Sequence, residues 1–129
     1  MPKDKIDLRI ITPEMSINRD RNSAVFLSGL FGQFELLPNH EDYISLLQIG
    51  VIGLKKDKCF VDSFIISNSF LRFDNTLNVC EINTEYFFDI IHQQRVEKDF
   101  ISHKIQRSSN TKEVEFYNYL LEYYSTTSV

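Results

Sequence analysis

The chain has no tryptophan, two cysteines, three prolines and four glycines among its 129 residues. Each scarcity closes something off. Cys59 and Cys80 cannot form a multi-bridge disulfide scaffold, and neither has a second Cys or a His at the spacing a zinc site needs. They read as small buried thiols inside strands. No apolar run approaches the ~18 residues that cross a bilayer, and the longest, Tyr86 to Ile91, is interrupted by Asp89. Clustered basic residues are scarce as well. Lys55-Lys56-Asp57-Lys58 is the one tight group in a chain of net charge −4, so nucleic acid would meet no extended cationic surface. That group reads as a solvated hairpin turn. Catalytic signatures are also missing. No Gly-x-Ser-x-Gly elbow occurs, no pair of carboxylates stands out, and His40 sits near Pro38 in a turn without a nucleophile beside it. His92 and His103, eleven positions apart, would lie three turns apart on a helix, too far to share a metal. Catalytic, cofactor and metal sites are therefore not expected. The opening residues carry acids and no apolar segment, so neither a secretory signal nor an Arg-rich transit peptide is expected either.

What the chain does contain is enough apolar residue, 43% with 25% charged, for one globular core and a small appendage. Ile6, Leu8 and Ile10 alternate with Asp7 and Arg9 up to Pro13, the pattern of a half-buried strand. Met15 and Ile17 are in phase in a second short run, and Arg19-Asp20-Arg21-Asn22 is polar enough to read as the turn into Ala24-Val25-Phe26-Leu27. Two further runs, Glu41 to Leu47 and Ile49 to Leu54, read as a pair, with Gly50 and Gly53 marking close backbone approach. Cys59 to Ser67, Phe70 to Phe73 and Leu77 to Ile82 follow, divided by polar turns. Short strands at this spacing, without intervening crossover helices, predict an antiparallel sandwich or barrel. From Thr84 onward there is neither Pro nor Gly. Phe87, Ile90, Ile91, Ile101 and Ile105 fall on one helical arc, which predicts a helix from Thr84. Asn110 with Glu113 three residues later predicts the cap of a second helix presenting Val114, Tyr117, Leu120, Leu121 and Tyr124. The expected organisation is a β-sandwich over 1–83 and a two-helix hairpin over 84–129.

One stretch imposes requirements of its own: Ser28-Gly29-Leu30-Phe31-Gly32-Gln33-Phe34-Glu35-Leu36-Leu37-Pro38-Asn39-His40. Glycine accepts positive φ without steric cost and proline presets φ while removing a donor, so this order constrains the path of the chain. Gly29, Gly32 and Pro38 are the expected loop-shaping residues.

This pattern, Gly-x-x-Gly-x-Phe-x-x-Leu-Pro-x-His, resembles the amino-terminal domain of the epsilon subunit of F-type rotary ATP synthases, the counterpart of the mitochondrial delta subunit. Ile10-Ile11-Thr12-Pro13-Glu14 is similar to that family's opening Val/Ile-Thr-Pro-Glu. Leu46-Leu47-Gln48-Ile49-Gly50-Val51-Ile52 is similar to its Leu-x-Pro-Gly-Val-[Ile/Val]. A Lys-rich hairpin and then Ser67-Asn68-Ser69-Phe70-Leu71 stand where the family has Ser-Gly-Gly-Phe-Leu. Each motif alone is modest, but their order over residues 6 to 82 is specific.

The resemblance implies a ten-stranded antiparallel sandwich followed by a helical hairpin. It implies a noncatalytic subunit of the proton-translocating rotor, peripheral on the cytoplasmic face of the bacterial inner membrane. The implied partners are the gamma subunit and the polar loops of the membrane c-ring. The hairpin in this family either folds on the sandwich or extends toward the alpha and beta catalytic subunits. Partner contact is expected at Leu30, Phe31, Gln33 and His40. Phe31 has two open readings, an exposed apolar anchor or a ring folded over the sandwich rim. The chain also departs from the family: Asn39 and Asn68 replace glycines, and both are expected to hold left-handed turns. The nucleotide-binding element of some members is degraded to Phe88-Asp89-Ile90-Ile91-His92-Gln93, without its Arg and Ala. Lys112 is followed by Glu113, Glu115 and Glu122, the wrong sign for a contact with an acidic segment, so the hairpin is expected to be mainly structural. The rival reading from composition alone is a generic sandwich adaptor with a helical tail.

Overall fold

Alternation of period two builds the sheet. In β1 (Ile6–Ile11) the side chains of Ile6, Leu8 and Ile10 are buried while Arg9 faces out. A computed structural model of the protein describes residues 4–91 and 98–127. Nine more strands follow: β2 (Ser16–Asn22), β3 (Ala24–Gly29), β4 (Gly32–Leu36), β5 (Tyr43–Leu47), β6 (Gly50–Lys56), β7 (Cys59–Ile66), β8 (Ser69–Asp74), β9 (Val79–Asn83) and β10 (Phe87–Asp89). They form one curled sheet in the order β10-β7-β6-β3-β5-β8-β9-β1-β2, with β4 paired to β3. Curling closes the apolar faces on each other. Val25, Leu27, Leu36, Leu47, Ile52, Leu54, Phe64, Ile66, Leu71, Phe73, Cys80 and Ile82 join the β1 residues in one core.

The pairing is antiparallel with one exception: β1 runs parallel to β9, from Asp7 opposite Val79 to Ile11 opposite Asn83. An all-antiparallel sandwich was the expectation. A parallel neighbour needs a long return path, and here the rest of the sandwich supplies it instead of a crossover helix. The pair expected between Glu41–Leu47 and Ile49–Leu54 also separates. Strand β5 pairs along its length with β8, whereas β6 pairs with β3 and β7.

Arg19 to Asn22 is strand, not turn. Strand β2 continues to Asn22, and the chain bends at Ser23, with Arg21 left-handed at φ 62°. The Lys-rich turn is where it was expected: Lys56 pairs Cys59 around Asp57-Lys58, with Asp57 at φ 58°. Cys80 is buried, but Cys59 is exposed at the start of β7, so only one of the two thiols is a core residue, and both are free.

Residues 84–91 correct the helical expectation. Phe87, Phe88 and Asp89 pair with Ile66, Ile65 and Phe64 as a strand. Helix α1 spans Lys98–Arg107, and α2 spans Thr111–Thr127. Asn110 caps α2 as expected, its Oδ1 accepting from the backbone N of Lys112 at 3.0 Å. The hairpin lies on the outer face of the sheet. Ile65, Ile101, Phe116 and Leu120 form a second buried cluster, flanked by Val51, Tyr86, Phe88, Ile105, Tyr117, Leu121 and Tyr124. Phe116, absent from the expected apolar stripe, is its most deeply placed aromatic, stacked on Tyr86 at 5.7 Å.

Candidate functional site

The glycine-bounded stretch is a β-hairpin. Gly29 pairs with Gly32, leaving Leu30 and Phe31 as a two-residue turn. Gly32 adopts φ 121°, a conformation that an L side chain resists. Gly29 is required for another reason: a Cβ there would lie 2.9 Å from the Phe34 ring. The turn therefore presents its two apolar residues outward. Phe31 is fully exposed and Leu30 is half exposed. The ring does not fold over the rim. Gln33 is exposed on β4 beside them.

His40 is elsewhere. Strand β4 carries the chain away from the turn, a rise of roughly 13 Å over four residue steps. Leu37-Pro38-Asn39-His40 then forms a turn closed by His40 N donating to Leu37 O at 3.3 Å, with Asn39 at φ 68°. This is the geometry of proline followed by a left-handed residue, and Asn39 supplies it where the resembling family has glycine. Its position is locked by Asn78: Asn39 N donates to Asn78 Oδ1 at 2.8 Å, and Asn78 Nδ2 donates to Asn39 Oδ1 at 3.1 Å. The His40 ring packs edge-on against Tyr43 and Phe73. Leu30, Phe31 and Gln33 thus share one end of the sandwich, whereas Pro38 and His40 belong to the other.

The end that carries the turn also gathers the remaining motif residues. A cleft of about 910 Å³ is lined there by Thr12 and Pro13, Leu30, Leu46 to Ile49, Asn68 to Phe70, and Asn83 to Glu85. Asn68 is not left-handed, contrary to expectation; its side chain instead accepts from Ile49 N at 2.8 Å, tying two loops of the cleft together. Gly50 marks a close approach, since a Cβ would meet Ser28 Oγ at 3.0 Å.

A second apolar surface was not legible in the sequence. On the outer face of β5 and β8, Ile44, Leu46 and Phe70 are exposed together, beside Arg72, which is paired across from Ile44. The signal that could have found it is the phase of β5, in which Ile44 and Leu46 alternate against buried Leu47. The helices lie over Val51 and Ile65, on β6 and β7.

The junction of hairpin and sandwich is polar at its rim. Lys112 Nζ reaches Glu85 Oε1 at 3.2 Å, and Asn110 Nδ2 donates to the Tyr86 hydroxyl at 3.2 Å. Burial, then the nearby charge of Glu113 and the neighbouring Tyr86 phenol, push the Tyr117 phenol above its ordinary value. Among the described residues no three His, Cys, Asp or Glu side chains converge as a metal site, and no described helix is long and apolar enough to cross a membrane. His92 and the side chain of His103 lie outside the described residues, as does the last part of the degraded nucleotide-binding register.

Comparison with known proteins bears on the sandwich. The chain is 46% identical over 52 residues to an ATP synthase epsilon chain of Campylobacter concisus, 40% of each protein. It is 37% identical over 71 residues to that of Campylobacter curvus, 55% of each. The chain thus spans about half the length of the curated relatives it matches. Among solved structures, it resembles a chain of the Euglena gracilis mitochondrial ATP synthase assembly of OSCP, F1 and c-ring, with TM-score 0.70 and 16% identity. That match covers 95% of this chain and 83% of the other. A second, from the central stalk and c-ring of Tetrahymena thermophila mitochondrial ATP synthase, has TM-score 0.57 at 16% identity and covers 93% and 98%. At such identity these two speak for the fold alone. The family model for the ATP synthase delta/epsilon chain β-sandwich domain matches residues 5–87, which takes in the strands from β1 to β9 and the first residue of β10. The chain belongs to the ATP synthase delta/epsilon chain family.

Proposed function

We propose that the protein is a noncatalytic rotor subunit of a proton-translocating F-type ATP synthase, joining the gamma subunit to the polar loops of the membrane c-ring. The observation that carries this reading is the family match over the sandwich together with exposed apolar residues that run from the Leu30-Phe31 turn past Leu46 and Phe70 to Ile44. A subunit that couples two partners needs room for a protruding contact and a flat one. The Leu30-Phe31 turn, with Gln33 and the adjoining cleft, suits the tips of ring loops: it is narrow, protruding and rigidly shaped by Gly29 and Gly32. The flatter surface of Ile44, Leu46 and Phe70 beside Arg72 suits a broad contact with gamma. His40, at the opposite end, then has a structural role in the Leu37–His40 corner or touches gamma, and not the ring.

In this reading the protein is peripheral on the cytoplasmic face of the bacterial inner membrane and holds no catalytic group. The sandwich through Asp89 and the helices after it act as separate parts. The hairpin is folded on the sandwich through Phe116 and Leu120, and the acidic Glu113, Glu115 and Glu122 of α2 disfavour an acidic partner among the catalytic subunits. Its work is mainly structural.

The deciding experiment is affinity purification of the tagged full chain from solubilised membranes, followed by binding to purified gamma. Copurification with a membrane ATPase and a stable one-to-one complex with gamma are expected. A chain that does neither, and binds peptide or sugar instead, would be a sandwich adaptor and the proposal would fail.

A further inference from the structure

The sheet has a seam. Its end strands, β10 and β2, are not hydrogen-bonded neighbours, so a continuous ladder does not close the sandwich there. Among the described residues, an arginine reaches across that gap. Arg19, on β2, places Nε 3.4 Å from Asp62 Oδ2 on β7 and Nη2 3.5 Å from Asp89 Oδ2 on β10. Its guanidinium also lies over the Phe64 ring, 5.6 Å from the centroid. The two carboxylates retain only 14% and 12% of their side-chain exposure, against 32% for Arg19. These are not surface ion pairs of negligible weight.

The position of Asp89 gives the contact its consequence. Strand β10 has three residues and three register pairs. On its inner side Phe87 packs against the sandwich core. On its outer side Phe88 meets Tyr124 of α2 edge-on at 5.9 Å, and Tyr86 and Ile90 join the helix cluster. So short a strand has little ladder of its own to hold it.

We propose that Arg19, Asp62 and Asp89 form an ionic clasp that closes the seam of the curled sheet and, by fixing β10, sets the docking of the helical hairpin on the sandwich. The guanidinium suits the task because its planar fork serves two carboxylates at once, which a lysine ammonium does less well. Removing it takes away a cation shared by two mostly buried carboxylates, so their mutual repulsion rises and the tie of β10 to the seam weakens.

Native-state hydrogen exchange on the full chain tests this. In Arg19→Gln the amides of Phe88 and Ile90, and those of Ile101, Phe116 and Leu120, exchange roughly tenfold faster or more, because local opening of β10 becomes easier. Leu71 and Ile82, on β8 and β9, five and six strands from β10 along the ladder, keep their wild-type protection. Arg19→Lys gives an intermediate effect. In Arg19→Gln/Asp89→Asn, which removes one of the two carboxylate charges together with the cation, β10 recovers part of its protection. Unchanged exchange at β10 in Arg19→Gln overturns the proposal, as does equal acceleration of β8 and β9, which would make Arg19 a contributor to global stability only. If Arg19→Gln does not fold, Asp89→Asn is measured alone. A rise confined to β10 and the hairpin supports the clasp, and wild-type exchange there refutes it.

Discussion

Replacing Phe31 with Asp separates the fold from its use. Phe31 is fully exposed at a two-residue turn whose φ is set by Gly32, so the substitution removes no buried area and disturbs no ladder bond. The folded chain should lose less than about 0.5 kcal/mol, the usual range for a surface change away from special features. Binding is a different matter. A ring that inserts between ring loops and covers about 100 Å² of apolar surface contributes ~2.5 kcal/mol at 25 cal/mol per Å². Losing it weakens that contact roughly 70-fold, and the desolvation of a carboxylate adds to the loss. The assay is ATP-driven proton pumping in vesicles reconstituted with either chain, beside a thermal melt of the free subunit. Uncoupled hydrolysis with an unchanged melting temperature is expected. Full coupling by Phe31→Asp would refute the assignment of the turn to a partner and leave it as scaffold. The result is informative because stability and coupling are read on the same preparation.

Asn39 stands at φ 68° in the proline turn and shares two hydrogen bonds with Asn78, only one of which uses its side chain. Asn39→Gly relieves about 1 kcal/mol of left-handed strain while losing one hydrogen bond of similar worth, so a urea melt should change little. Asn39→Ala keeps the strain and loses the bond, and should cost about 1–2 kcal/mol; equal effects of Ala and Gly would show that φ is not the constraint. Cys80 is buried in the core, and burial pushes its thiol well up. The folded state therefore binds this proton more tightly than the unfolded state, whose thiol titrates near 8.5. The contribution is intact below that value and falls as pH rises past it, by up to about 1.4 kcal/mol per pH unit. Stability measured from pH 7.5 to 9.5 should decline more steeply for wild type than for Cys80→Ala. Under native conditions a thiol reagent should label exposed Cys59 alone.

The parts legible in the sequence were those set by local rules. The phase of Ile6, Leu8 and Ile10 gave the buried face of β1 because a strand alternates sides with no reference to its neighbours. Asp57-Lys58, Asn39 and Asn110 were readable as turns and a cap for the same reason: backbone conformation and short-range hydrogen bonds decide them. The misread segments are those in which a neighbour overrides the local pattern. Tyr86-Phe87-Phe88-Asp89-Ile90-Ile91 satisfies helical and strand periods alike, and pairing with the edge of β7 chose the strand. Arg19 to Asn22 is polar on both faces, and it became strand because β1 offered an edge and two distant carboxylates took up the arginine. The candidate surface was half visible. Glycines and an apolar pair marked the Leu30-Phe31 turn, but nothing local indicated that β4 runs the length of the sandwich and carries His40 away from it.

By itself, then, the sequence determined the family, the inward residues of the strands that alternate cleanly, such as β1, and the shape of the turn that Gly29 and Gly32 bound. Those follow from side-chain periodicity and from φ, which neighbouring residues in the chain settle among themselves. Tertiary structure alone decided that β1 lies parallel to β9, that motif residues from four loops line one cleft, that Ile44, Leu46 and Phe70 form an exposed face, and that Arg19 spans the seam to Asp62 and Asp89. Each of these joins residues far apart in the chain, and such contacts exist only once burying the common core has offset the entropy of bringing them together.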